Sequence, residues 1–205
     1  MNYVEITTAA LGYADRTDAE TMDKVDIFLR LVEARVNQQL SARETHLKVN
    51  IPIVDNITEY YDLPSAFQHI KSIDVCTAAG KATLQYIGVE QLYAKLMERQ
   101  LGCFYAVTND KIQLYYDFIG NGTETVEIVY VSKLQPLTST DTENWLSQRN
   151  PDVYINGLLV EINAFVKDAE AAMLYEQRFK DSLAAIIDGD WENYWNGTSL
   201  QTRVG

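Results

Sequence analysis

Two stretches of the chain repeat apolar residues at helical spacing, and they flank a long central region that does not. From Thr21 onward, apolar side chains recur at steps of three and four residues: Val25, Phe28, Leu29, Val32, Val36 and Leu40. This period predicts an amphipathic helix over about 18–45. The polar face predicted for that helix carries Asp26, Arg30, Glu33 and Gln38.

The central region, 47–134, has the pattern of β-strands. It consists of short runs rich in Val, Ile and Tyr, separated by turn residues. The run CFYAVTNDKIQLYY (103–116) predicts a hairpin with Asn109 and Asp110 at its turn, because both residue types tolerate positive φ. The run VEQLYAKLMERQ (89–100) instead predicts a short helix. We therefore expect one β-rich insertion between helices.

Helical spacing returns at Pro151 and continues to about Asp188. Asn150 is a suitable N-cap, and Pro151 suits the first helical turn, where its missing N–H costs nothing. The length fits either one bent helix or two helices joined near 167–170. Gly189 suits a C-terminal cap.

These patterns predict an α+β protein in which a helical bundle carries a β-rich insertion. The expected segments are an N-terminal segment and helix (1–46), the insertion (47–134), the C-terminal helices (135–190) and an extended tail (191–205). The tail differs from the rest because it holds two of the three tryptophans and shows no period.

Composition narrows the classes of function. The net charge of −12 argues against sequence-independent binding to nucleic acid, which needs clustered Lys and Arg. An acidic surface would also let DNA slide past, although plain solubility explains it more simply. Cys76 and Cys103 have no metal-site spacing and are expected to be free thiols in a reducing cytoplasm. The N-terminal residues do not have the pattern of a signal peptide, and no apolar run is long enough to span a membrane.

The sequence offers little catalytic chemistry. His46 and His69 stand alone, and the motifs of zinc sites, serine hydrolases, dinucleotide binders and nucleotide hydrolases are absent. Carboxylate pairs that resemble a glycosidase dyad are interpreted as ordinary solvated acids; they are Glu59 with Asp62 and Asp141 with Glu143. We therefore expect no catalytic, cofactor-binding or metal-binding residue.

The junction NWLSQRNPDVY (144–154) joins the two regions. Large aromatic residues near a helix start often hold two elements together, so we expect Trp145 and Tyr154 to do so, with Trp145 anchoring the β-rich region on the helices. Gly157 lies one turn inside the predicted helix, where glycine costs about 1 kcal/mol relative to alanine. A close helix–helix or subunit contact would account for this glycine, and simple tolerance is the alternative.

Several of these motifs occur in an order that resembles the head-to-tail adaptor proteins of tailed bacteriophages, of the short-tailed type. The resemblance spans roughly Ala19 to Asp188, and its runs are VNQQLSARE, YDLPSAF, CFYAVTNDKIQLYY, NWLSQRNPDVYINGLL and FVKDAEAAMLYEQRF. Its most specific part is Asn144, Trp145 and Leu146, followed by Pro151, Asp152, Tyr154 and Gly157. Ser147 and Ile155 depart mildly from the family pattern.

The resemblance implies a structural protein of the virion neck that assembles in the bacterial cytoplasm. Its subunits would form a homo-oligomeric ring, commonly a dodecamer. The ring would bind the portal protein above and tail or nozzle proteins below. Genomic DNA would pass through the lumen without specific binding, and neither membrane nor cofactor would be involved.

Two sets of residues are candidates for the contacts of such a ring. Ile27, Leu31 and Ala34 lie off the main apolar stripe of the first helix and are candidates for subunit contacts, although a broader core face explains them equally well. The candidates for portal binding lie in the tail: Trp191, Tyr194, Trp195, Leu200 and Arg203. The tail would extend into a groove of the portal, or alternatively fold back on its own bundle.

Two other functions stay open on the sequence. One is a cell-wall glycan hydrolase associated with the phage tail, which would need a pair of the carboxylates. The other is a non-viral β module on a helical stalk that binds carbohydrate or protein, and it would be monomeric.

Overall fold

The computed structural model describes residues 1–40, 45–52, 60–77, 80–98, 101–116 and 125–196. The chain forms two compact units. The helical unit comprises Met1–Thr45 and Leu134–Gly205, and the β-rich unit comprises His46–Lys133. The predicted α+β class is confirmed.

Three helices begin the helical unit. They are α1 (Tyr3–Tyr13), α2 (Ala19–Met22) and α3 (Val25–Gln39). The sequence pattern did not predict α1, whose Asn2 side chain accepts a hydrogen bond from the Glu5 N–H while Glu5 accepts one from the Asn2 N–H. The single helix predicted over 18–45 is wrong: it is divided between α2 and α3, and α3 ends where Leu40 turns extended. Residues 41–44 lie outside the described part.

The β-rich unit holds two four-stranded sheets among its described residues. The first has the order β1-β8-β3-β4 and is antiparallel throughout; its strands are β1 (His46–Pro52), β3 (Phe67–Thr77), β4 (Gly80–Thr83) and β8 (Thr125–Ser132). The second has the order β2-β7-β6-β5, formed by β2 (Tyr60–Asp62), β5 (Gln85–Tyr86), β6 (Cys103–Thr108) and β7 (Lys111–Tyr116). The helix α4 (Val89–Glu98) connects β5 to β6, which run parallel.

Two sequence predictions for this unit are confirmed. Thr108 pairs with Lys111 across the β6–β7 turn, and Asn109 has a φ of 53° there. The short helix lies at α4, with Leu92 fully buried. His46 begins strand β1 rather than ending a helix, and His69 lies in β3. The core of the unit combines apolar residues of both sheets, among them Ile73, Val75, Ile112, Leu114, Val126 and Ile128.

The chain returns to helices with α5 (Trp145–Arg149), α6 (Pro151–Phe165) and α7 (Ala169–Asn196). The alternative of two joined C-terminal helices is the one observed, and Lys167 makes the joint in the left-handed region at φ 64°. The helix α7 does not end at Gly189. It continues to Asn196, so residues 191–196 are helical where the sequence predicted an extended tail.

The helix α6 lies between α3 and α7 in the core of the helical unit. Arg35 bonds Glu161 while Phe28 contacts Phe165, so α3 and α6 run antiparallel. Gly157 approaches Phe179 while Asn156 donates to Ser182, so α6 and α7 also run antiparallel. It follows that α3 and α7 run parallel to each other. Buried residues of these helices form most of the core, including Val32, Val36, Leu158, Ile162, Phe179 and Leu183.

A buried polar network and candidate interaction surfaces

The junction 144–154 is the start of a buried hydrogen-bond network. The Asn144 amide nitrogen donates to the Tyr154 hydroxyl at 2.7 Å and to the Gln135 carbonyl at 2.7 Å. The Tyr154 hydroxyl in turn donates to Oε1 of Glu33 at 3.4 Å. The Leu137 N–H donates to the same Glu33 oxygen at 2.7 Å. The network thus ties α3, α5 and α6 to the segment that precedes α5.

Glu33 was predicted on the polar face of its helix, and this is wrong. The side chain is buried, and burial raises the pKa of its carboxyl group, although hydrogen bonds from Leu137 and Tyr154 and the charge of Arg30 act in the opposite direction. Burial also raises the pKa of Tyr154, against the bond from Asn144 and assisted by the nearby Glu33 charge. Both groups are therefore held in their neutral forms more strongly than in water.

The helix start at Asn144 is built by reciprocal hydrogen bonds. Its Oδ1 accepts from the Ser147 N–H at 2.8 Å, and its own N–H donates to Ser147 Oγ at 3.0 Å. This is a capping box in which serine takes the place usually held by Glu or Gln. Asn150 precedes α6, with Pro151 at its first turn as predicted, but its side chain makes no capping bond. Asn150 therefore occupies the predicted N-cap position of α6 without a side-chain capping bond, whereas Asn144 caps α5 with one.

Trp145 and Gly157 pack within the helical unit. Trp145 is half-buried against its core; its predicted role in fixing the β-rich region stays a prediction. At Gly157, a β-carbon would lie 2.6 Å from Val32 Cγ1 and 3.1 Å from Phe179 Cε2. The close helix–helix contact inferred from the sequence is therefore present, between α6 and both of its neighbours.

Arg35 joins the same three helices from the outer side. Its guanidinium bonds Glu161 at 3.3 Å and Glu176 at 2.5 Å, and it lies 4.6 Å from the centre of the Phe179 ring. Burial works to raise the pKa of Glu176, but hydrogen bonds from Arg35 and Lys180 outweigh it and hold the pKa below its ordinary value. Sequence reasoning missed both Arg35 and Glu33, because their partners lie more than a hundred residues away in the chain.

The three residues proposed for subunit contacts lie together on the outer face of α3. Ile27 and Leu31 are 50% and 47% exposed, and Ala34 is also exposed. The alternative of a broader core face is therefore excluded within this chain. An exposed apolar row on an amphipathic helix is available to a partner.

The residues proposed for portal binding fall at the end of α7 and beyond it. Positions 191, 194 and 195 belong to the helix, whose backbone is described to Asn196. Leu200 and Arg203 lie outside the described residues. The side chains from 191 onward also lie outside that part, so the contacts predicted for them stay predictions.

The described carboxylates of the candidate dyads, Asp62, Asp141 and Glu143, are all exposed. Among the described residues, no three metal-ligating side chains come together. Asp62 forms an ion pair with Lys111, while Glu143 accepts a hydrogen bond from Gln148 and is exposed; Glu59 lies outside the described part. Two open depressions, of about 440 and 470 Å³, have no histidine or cysteine in their linings.

The described helices include none that is both long and apolar enough to cross a bilayer. The described helices carry exposed apolar side chains in rows, such as Ile27 and Leu31 on α3. The model of the SU10 adaptor protein family matches residues 1–203. The chain belongs to this family of phage head-to-tail adaptor proteins. No curated protein matches the chain.

Proposed function

We propose that this protein forms a closed ring between the portal and the tail of a phage particle, with the genome passing through the ring. The observation that carries the proposal is the family match, which covers almost the whole chain and favours a structural adaptor over both alternatives from the sequence. In this function the working parts of the protein are its surfaces, and no bound cofactor is required.

The exposed row of Ile27, Leu31 and Ala34 supports the ring. Contacts that join two different faces of neighbouring subunits close into rings when the rotation permits. A row of apolar side chains on a rigid helix supplies one such face. We infer that it is buried against the next subunit.

The end of α7 supports attachment to the portal. On a helix, residues 187, 191, 194 and 195 follow one another at steps of four, three and one, which places them on one side of the axis. Ile187, the first of the four, is 37% exposed. We infer that α7 docks as an amphipathic helix in a groove of the portal, with the residues after 196 extending the contact.

Two truncations test the portal contact separately from the fold. One chain ends at Asn196 and lacks Leu200 and Arg203; the other ends at Asp190 and also lacks both tail tryptophans. We expect the longer chain to keep most of its portal affinity and the shorter chain to lose it, as measured by mass photometry of portal mixtures. Both chains should retain the thermal transition of the intact protein. Unchanged portal binding by the shorter chain would refute the role of α7.

A further inference from the structure

The helix α6 is covered on every side, and α1 supplies one part of the cover. Residues 157–160 make one full turn of α6, and all four are buried. The helices α3 and α7 flank α6, and α1 packs against it as well. A copy of the chain that withdrew its own α1 would therefore expose apolar surface of α6, and the vacant site would have the shape of α1.

Few contacts hold α1 on its own chain. Ile6 and Ala10 are the apolar side chains of α1 that are buried, and Leu11 is partly buried. Among the described residues, three hydrogen bonds join the start of this segment to other elements: Met1 nitrogen to the Ser147 carbonyl, Tyr3 N–H to the Thr142 carbonyl and Tyr3 hydroxyl to Asp26. Beyond the first turn, the described contacts of α1 with other elements are apolar.

The connector that follows α1 contains a strained turn. Asp15 has a φ of 51°, in the left-handed region that favours glycine. Its N–H donates to the Gly12 carbonyl, and the Arg16 N–H donates to the Leu11 carbonyl. The turn is therefore a Schellman motif with aspartate at the position where glycine is usual. Residues 15–18 are all exposed, so an extended connector would release the strain without uncovering a buried side chain of its own.

We propose that α1 is an exchanged arm: in the ring, α1 of each copy leaves its own α6 and docks on the α6 of the next copy. The interface is the one observed within the chain, because α1 is the same helix in every copy. Each α6 stays covered, and the connector gives up its left-handed residue. Exchange in one direction links every copy to its neighbour, as a closed ring requires. The proposal rests on the proposed ring and names a contact that joins its subunits.

A cross-link between two different chains tests the exchange. Both full-length chains carry Cys76→Ser and Cys103→Ser; one also carries Tyr3→Cys and the other Thr142→Cys, two positions joined by a backbone hydrogen bond of 2.7 Å. Assembled together with portal and treated with a short bismaleimide, they should give a cross-linked dimer on a denaturing gel. The matched control replaces Tyr3→Cys by Tyr13→Cys at the other end of α1, and it should give at least tenfold less dimer. Equal yields from the two mixtures would overturn the inference.

A lock within one chain gives the converse test. A chain with both Tyr3→Cys and Thr142→Cys, cross-linked as a monomer before portal is added, cannot release its α1. It should form no rings in electron micrographs. The matched control carries Asn156→Cys and Ser182→Cys, which join α6 to α7 where those two side chains are hydrogen-bonded, and it should form rings after the same treatment. Rings built from the locked chain would overturn the inference.

Two substitutions of Asp15 test the connector in the two-chain assay. Asp15→Gly removes the strain of the compact turn and should give several-fold less dimer. Asp15→Pro excludes a positive φ and should give more dimer than the unsubstituted connector. Equal yields from the two variants, or the reverse order, would overturn the inference.

The outcomes separate the exchange from the ring itself. Rings with portal in electron micrographs, together with no preference for the pair at positions 3 and 142, would overturn the exchange and leave the proposed function standing. If the protein forms no oligomer with portal, both the ring and the exchange are refuted.

Discussion

The side-chain amide of Asn144 donates a hydrogen bond to the phenol oxygen of Tyr154, ten residues further along the chain, and both groups are buried. This bond joins the two ends of the junction 144–154. The other amide hydrogen is used by the Gln135 carbonyl, and Oδ1 caps α5. Asn144 therefore satisfies three partners with one short side chain, and no other residue type presents the same donors and acceptor at this length.

Replacement of Asn144 should destabilise the protein far more than replacement of Asn150. Asn144→Ala removes a helix cap, worth about 1 kcal/mol, and leaves the buried Tyr154 hydroxyl short of a donor, at about 1–3 kcal/mol. The carbonyl of the exposed Gln135 loses its bond from Asn144 as well. Asn150→Ala removes no capping bond and should change the free energy of unfolding by no more than about 0.5 kcal/mol. Urea denaturation of both variants measures the difference. Equal losses would mean that the network contributes nothing.

Gly157→Ala and Gly189→Ala should have opposite effects, although both glycines lie inside helices. At position 157 a β-carbon meets Val32 and Phe179, so the helices must separate, at about 1–3 kcal/mol of lost stability. At position 189 the space within 4 Å is open. There, alanine should stabilise α7 by about 0.5–1 kcal/mol through its higher helix propensity. Thermal unfolding of each variant checks the signs, and a stabilised Gly157→Ala protein would contradict the observed packing.

The stability of the protein should depend on pH through the titration of Glu33. Its pKa is raised by burial above the ordinary 4.5, so the folded state binds this proton more tightly than the unfolded state. The contribution of the group to stability therefore increases as the pH falls from above the folded pKa toward 4.5. The stability of Glu33→Gln, relative to the natural chain, should be greatest at neutral pH and decline across that window.

Denaturation at a series of pH values measures this difference, and Asn150→Ala, which removes no ionisable group, is the control. The control should give a pH dependence parallel to that of the natural chain. If the difference between Glu33→Gln and the natural chain is flat with pH, or grows as the pH falls, the raised pKa of Glu33 is wrong.

Arg35→Lys should destabilise the helical unit although it keeps the charge. The planar guanidinium reaches Glu161 and Glu176 together and lies over the Phe179 ring, a geometry that a lysine ammonium does not reproduce. We expect a loss of about 1 kcal/mol, modest because these side chains are partly exposed to solvent. Lys180→Met, which removes the exposed partner of Glu176, should cost less than about 0.5 kcal/mol. Chemical denaturation measures the loss of stability in each variant. A larger loss for Lys180→Met than for Arg35→Lys would contradict the role assigned to Arg35.

Some features set by neighbouring residues were predicted from the sequence, and others were missed. The β6–β7 hairpin follows from alternation around Asn109 and Asp110. The C-terminal helical region follows from its apolar stripe, although the sequence left open whether it is one bent helix or two. The helix α1 was missed, although Asn2 and Glu5 carry the spacing of a capping box. The serine of the capping box at Asn144 was also missed, because Glu or Gln is the usual partner.

The spacing of apolar residues did not predict the features that depend on residues distant in the chain. Glu33 has the spacing of a polar-face residue, yet it is buried. The Leu137 N–H and the Tyr154 hydroxyl donate hydrogen bonds to its side chain there. The order of the strands in the two sheets depends on pairing across long separations, such as β1 with β8. The helical end of α7 was mistaken for a tail because glycine at position 189 resembles a cap. Backbone helicity there continues through the glycine.

The strand that enters the β-rich unit and the strand that leaves it are hydrogen-bonded neighbours: His46 on β1 lies opposite Val131 on β8. The chain therefore departs from the helical unit and returns to it at adjacent points. A segment with adjoining ends can be exchanged as a cassette, since a different insert with paired first and last strands would close the same gap.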